Sequence, residues 1–184
     1  MAQRQLSLDR APDDDIQVLF HVGCMLNDEA VIKQTLDRGA CPDRDFIFEG
    51  SEDVPLFCVC RRENVAAIKL LLEHGCQVNK LDKDKNSALH YSCHQNRMEV
   101  TTLLLDYGAD ANIISPSGFT PLHLACKEGH TRMAELLIGR GAYVDRKALK
   151  EAQKHSRQDV VKLLSDHMRT TSLTVKLRSA NRYP

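Results

Sequence analysis

The stretch "GFTPLHLACKEGH", Gly118 to His130, sets a turn against a short helix. Thr120 is suited to accept hydrogen bonds from the first orphan amides of a helix, and Pro121 stands at the first helical position, where no donor is lost. Leu122 to Glu128 gives about two turns of helix, and Gly129 supplies the left-handed residue that ends it. Neither a nucleophile–base pair nor a phosphate-binding loop is present in it, so what the pattern does depends on whether it recurs.

It does recur. Leu89-His90 aligns with Leu122-His123 at an offset of 33, and Leu56-Phe57 lies 33 residues further back. Phe20-His21 begins an earlier frame. The distance to the closing glycine is 19 residues in each: Phe20 to Gly39, Leu56 to Gly75, Leu89 to Gly108 and Leu122 to Gly141. A fifth frame starts at Leu149, with six residues missing ahead of its first helix, and three extra residues lie within "CPDRDFIFEGSEDV" between the first and second frames. Such length changes belong in loops, where they cost least. Asn27, Glu63 and Asn96 fill the place of Gly129. Asparagine is the next-best left-handed residue, whereas Glu63 weakens its turn. Each frame therefore predicts two antiparallel helices and a projecting turn.

These frames resemble the ankyrin repeat. Its G-x-T-P-L-H-x-A pattern is present as Gly118, Thr120, Pro121, Leu122, His123 and Ala125. The third frame keeps Ser87, Leu89 and His90, with Lys85 and Ala88 in place of Gly and Pro. The second keeps Pro55 and Leu56, and the first only its apolar frame and His21. The resemblance runs from about Asp13 to Asp166. It implies an all-α solenoid of stacked helix-turn-helix units with projecting β-turn or hairpin loops. On that reading Thr-Pro-Leu-His is scaffold: Thr and His satisfy backbone and neighbouring-repeat polar groups, Pro starts the helix and Leu fills the core.

The expected layout is a flexible segment 1–12, repeats at about 13–48, 49–81, 82–114 and 115–147, a capping pair at 148–167, and a flexible basic tail at 168–184. The tail, "MRTTSLTVKLRSANRYP", has four basic and no acidic residues and no helical period. The first frame, with Gln17, Val18 and Leu19 for Gly-x-Thr-Pro, and the last, with Ser165 for Ile138 plus Glu151, Lys154 and Lys162, are atypical in the way end caps are. Complete caps imply a monomer.

Cys24, Cys60, Cys93 and Cys126 occupy one position in successive frames. Stacked helices lie ~8–10 Å apart, beyond the ~7 Å Cα limit of a disulfide and unable to converge on one zinc ion. These thiols are expected to pack as small hydrophobes. His90, Cys93 and His94 share a helix face, but His90 is scaffold and Cys93 belongs to the ladder, leaving His94 alone. Cys58 and Cys60 point to different faces. No metal, cofactor or catalytic residue is expected.

The remaining surface is the groove that the resemblance implies. By frame, its helix positions are Met25 and Leu26, Arg61 and Arg62, His94 and Gln95, Lys127 and Glu128, and Lys154 and His155. Its turns offer Asp45, Phe46 and Phe48, then Lys83, Asp84 and Asn86, then Pro116, Ser117 and Phe119. The stripe is apolar at its N-terminal end and basic beyond, with Phe46 and Phe119 as candidate anchors. Apolar anchors rimmed by charge suit a protein partner, here an acidic segment with one apolar side chain paired by Arg61, Arg62 and Lys127.

Bulk composition narrows the alternatives. Twenty-five basic residues balance twenty-five acidic ones, so neither nucleic acid nor a membrane is expected as the main partner. The basic stripe and tail leave open an anionic polymer or lipid headgroup, against which stand Asp43, Asp45, Glu49, Glu52 and Asp53 on the enlarged turn. A third reading is a ubiquitin-ligase substrate adaptor, although the tail is short for a docking box. Arg169 precedes Ser172 by three residues, a spacing that basophilic kinases favour. No secretory leader is visible and the cysteine count of seven is odd, so cytosol or nucleus is expected.

Overall fold

The computed structural model describes the backbone of residues 13–48 and 51–180, and the side chains of 15–45 and 54–171. Among these residues helices come in consecutive pairs: α1 (Asp13–Leu26) with α2 (Glu29–Asp37), α3 (Pro55–Arg61) with α4 (Val65–Glu73), α5 (Ala88–His94) with α6 (Met98–Asp106), α7 (Pro121–Glu128) with α8 (Thr131–Gly139), and α9 (Arg146–Lys154) with α10 (Gln158–Ala180). These are the frames expected from the sequence, and the fold is all-α and repetitive. A small antiparallel hairpin, β1 (Phe46–Phe48) with β2 (Ser51–Asp53), fills the enlarged loop, in the register Phe46↔Asp53 and Phe48↔Ser51. It spans the boundary drawn between the first two repeats at residue 48.

The chain forms two compact units, one ending at Asp84 and one beginning at Lys85. In the first unit α1 packs on α2 and α3, and α4 on α2 and α3. In the second, α5 and α9 both pack on α7, each first helix packs on its own second helix, and α10 also packs on α8. First helix on first helix is the packing of stacked repeats. Each unit buries the frame leucines and their equivalents: Phe20 and Leu56 in one, Leu89 and Leu122 in the other. Gly23 lets α2 approach α1 closely, since a Cβ there would lie 2.9 Å from Val31 Cγ1.

The turn chemistry follows the sequence. Thr120 and Ser87 are N-caps in extended backbone, each accepting from the amide of the histidine three residues on, while that histidine's side chain accepts from the cap's own N–H. This is a capping box with imidazole in the place usually held by carboxylate. Gly129 has φ 85°, and Asn27, Glu63, Asn96 and Ser156 hold the same turn at φ 60°, 56°, 59° and 56°.

Two expectations are corrected. Residues 168–180 are not an irregular tail, because α10 continues through them to Ala180. No Gly or Pro interrupts 158–180, and once the buried Val160 and Leu164 have nucleated the helix, each further residue adds a hydrogen bond at little cost. Thr170 and Thr171 both donate to the His167 carbonyl, at 2.8 and 2.9 Å. Nor, among the described residues, is the first frame the complete cap expected: Val18, Val22 and Leu26 of α1 are exposed. Segment 1–12 lies outside the described residues.

Asp145 links two pairs, capping α9 through the Ala148 amide at 2.8 Å and accepting from His123 Nε2 at 2.8 Å. Burial alone raises its pKa, but the Ala148 and His123 hydrogen bonds outweigh it and hold the carboxyl below its ordinary value. A carboxyl depressed in the folded state stabilises above its unfolded pKa, and that stability is lost as pH falls through the folded value. Urea denaturation between pH 6 and about pH 3 is therefore expected to show a smaller acid-side loss for Asp145→Asn, which keeps a capping oxygen, than for wild type. Thr120→Ala is expected to cost about 1 kcal/mol at neutral pH, read as a shift in the urea midpoint.

Candidate functional site

The first helices of the second unit end in side chains that face solvent. Two turns of helix suffice to bury Leu89, His90 and Cys93 on α5 and Leu122, His123 and Cys126 on α7, which turns His94 and Lys127–Glu128 outward at the helix ends. Glu128 Oε1 lies 3.6 Å from His94 Nε2 and 3.8 Å from Lys127 Nζ. The α5 end is tied to the next frame by His130 Nε2, which donates to the His94 carbonyl at 3.1 Å. Arg157 Nε does the same for the Lys127 carbonyl at 3.2 Å. The ends that carry these charges are therefore held by side chains of the following frame that donate to their backbone carbonyls.

Beside them is an open pocket of about 220 Å³, lined by Asn86, His90, Tyr91, His94 and Leu124. Tyr91 and Leu124 are half-buried and supply its apolar walls, with Asn86 and His94 contributing polar groups. Small-molecule sites run to ~300–1,000 Å³, so this volume suits a single inserted side chain rather than a whole ligand. Sequence reasoning named Asn86 and His94 but missed Tyr91 and Leu124. Their signal was available: both occupy the variable place between the frame histidine and the ladder cysteine, where Tyr91 brings an aromatic ring into a sequence with few.

Phe119 is not an open anchor. Its ring is half-buried, edge-on to His123 at 5.9 Å, with Lys147 Nζ 4.2 Å above its centroid. Its backbone carbonyl accepts from Ser115 N at 2.9 Å and from His90 Nε2 at 3.0 Å. Phe119 therefore builds the turn, and an open apolar hollow lies instead at Tyr91 and Leu124. Pro116 and Ser117 are exposed at the turn tip, with Ser117 Oγ 2.9 Å from Ser115 Oγ. Gln95 is the exposed C-cap of α5, and Lys154 is exposed in the last turn of α9.

In the first unit Arg61 and Arg62 are exposed at the end of α3, with Arg61 Nη2 3.6 Å from Cys58 Sγ. Lys83 is exposed in its turn. Asp45 pairs with Lys80 Nζ at 2.7 Å. Phe46 lies in β1, and its side chain, like that of Ser172 in α10, is outside the described residues.

The cysteine ladder is packing. All four members are buried, and burial pushes the thiols of Cys24, Cys60, Cys93 and Cys126 up to about 12. Among the described residues no cluster of His, Cys, Asp and Glu could hold a metal ion, and no helix is long and apolar enough to cross a membrane.

The comparison with known families agrees with this geometry. The model described as "Ankyrin repeats (3 copies)" matches residues 20–115 and 100–176, most of the chain, which belongs to the ankyrin-repeat family. No relative was found among curated proteins. Ankyrin repeats are in general protein-interaction modules, and the family is typically non-catalytic.

Thiol accessibility follows from burial. Six of the seven cysteines are buried and Cys41 is exposed, so alkylation of the native protein at neutral pH is expected to modify Cys41 alone. Denaturation should release the rest, with mass spectrometry counting the adducts.

Proposed function

We propose that this protein is a non-catalytic interaction module that holds an extended segment of another protein along the inner helices of its second unit. One apolar side chain of the segment enters the pocket of Tyr91 and Leu124, and its acidic residues meet Lys127 and Lys154. The observation that carries this reading is the pocket itself. A side-chain-sized apolar hollow directly beside charged helix ends is the arrangement of an anchor with a polar rim. Arg61 and Arg62 offer the same chemistry on the first unit. Adaptor, scaffold and inhibitor are all roles that such binding serves. A reducing compartment, cytosol or nucleus, belongs to the same proposal, supported by seven free cysteines in one chain.

Proximity labelling in cells tests it, comparing wild type with Tyr91→Ala/Lys127→Glu/Lys154→Glu at equal helical circular dichroism. Loss of a defined set of proteins is expected. An unchanged set moves the site elsewhere. If instead purified protein binds heparin or anionic vesicles with an affinity that collapses between low and physiological salt, the anionic-polymer reading replaces this one.

A further inference from the structure

The first helix leaves an apolar stripe uncovered. Val18, Val22 and Leu26 are 59%, 40% and 72% exposed. At a spacing of four residues they line one side of α1 for about 12 Å. Elsewhere the same frame positions are used. The place of Val22 is taken by Cys58 in the second frame and Leu124 in the fourth, and that of Val18 by Val54. Val54 and Cys58 are buried, in a unit where α3 packs on α1. Leu124 helps line the pocket formed with His90, Tyr91 and His94 of the preceding helix. Glu128, at the place of Leu26, reaches back to His94 of the same helix. This side of a first helix therefore faces the preceding frame. In α1 it is apolar, and among the described residues nothing covers it.

We propose that this face docks an amphipathic helix of another protein, whose apolar stripe is flanked at both ends by Lys or Arg. Charge selects this occupant. Asp15 lies at one end of the stripe and Asp28 and Glu29 lie just past the other, all exposed. A second copy fits poorly in either arrangement. Antiparallel pairing of α1 with itself brings Asp15 to the Asp28–Glu29 end of the copy, like charge against like. Stacking of the copy's last frame brings Lys150 and Lys154, at the places of His123 and Lys127, against valine and leucine. Burying ammonium groups there carries a heavy desolvation cost. A helix with an apolar centre and basic ends meets both the stripe and its flanks, and the preceding-frame position supplies the geometry of helix on helix.

The test uses two stapled helical peptides with leucines at successive fourth positions, one ended by lysines and the other by glutamates, titrated into the full chain by fluorescence anisotropy. The lysine-ended peptide is expected to bind. The glutamate-ended one should bind at least roughly tenfold more weakly, and Val18→Lys/Leu26→Lys should weaken the lysine-ended peptide at least roughly tenfold. Both substituted side chains are largely exposed, so the helical signal should hold. Lys154→Glu, on the surface invoked under the proposed function, should leave this binding unchanged, so the two readings stand or fall separately. No binding, equal binding of both peptides, or indifference to the α1 variant overturns the proposal. A concentration-dependent dimer in sedimentation that the α1 variant abolishes assigns the face to a second copy instead. Binding that emerges only in Leu6→Lys/Leu8→Lys assigns it to the chain's own first residues.

Discussion

The imidazole of His123 works at both nitrogens. Nδ1 accepts from the Thr120 amide at 2.8 Å, and Nε2 donates to Asp145 at 2.8 Å. A backbone N–H can only donate, so Nδ1 is bare and the proton sits on Nε2, the tautomer that the outward bond requires. His90 repeats the device, accepting from the Ser87 amide at 3.2 Å and donating to the Phe119 carbonyl at 3.0 Å. One side chain thus closes the start of its own helix and fastens the turn or helix cap that follows. Each such bond is worth only about 0.5–1.5 kcal/mol net, but leaving a buried ring nitrogen unpaired costs more. The spacing between neighbouring frames is therefore held in part by these polar bonds. In the first unit His21 makes the same kind of bond, to the Arg44 carbonyl at 2.8 Å, although Val18 stands where its counterparts have the capping Thr or Ser.

The helix pairs, caps and left-handed turns were legible because each is decided within a few residues. Thr120 and Gly129 state their backbone roles locally, and a constant spacing of 19 from frame residue to closing glycine carries those roles to frames whose motif has eroded. Even Glu63, an unfavourable residue for its turn, holds φ 56°, since the stacked helices on either side leave the backbone no alternative. The extension of α10 was not legible for the converse reason. Beyond Met168 the sequence carries no apolar period to mark a helix, and a helix without breakers continues without one.

The site was legible only in part, because exposure depends on what packs above a residue. The outward direction of His94 was legible from frame position, which fixes the direction a side chain leaves its helix. Phe119 was misjudged because its cover, Lys147, comes from the next frame. Tyr91 and Leu124 share a variable frame position that the sequence shows, but that a gap opens between them depends on the packing of neighbouring helices. Leu26 was placed on the surface by its frame position, whereas Val18 and Val22 carried no such mark, and among the described residues no helix covers them.

The two surfaces differ in what binding must displace. Around the pocket, Glu128 already contacts His94 and Lys127, so an acidic segment that engages Lys127 has to exchange with it. Only the difference between two partly solvated carboxylate contacts is gained, and each is worth little where water reaches it. On the proposed reading, affinity there comes mainly from a side chain seated between Tyr91 and Leu124, with charge governing approach and register. On α1 no polar partner stands in the way of the apolar stripe. Burying Val18, Val22 and Leu26 removes exposed hydrocarbon directly, and the exposed acidic groups at the stripe's ends, Asp28 among them although it also caps α2 through the Val31 amide, select among occupants of similar shape.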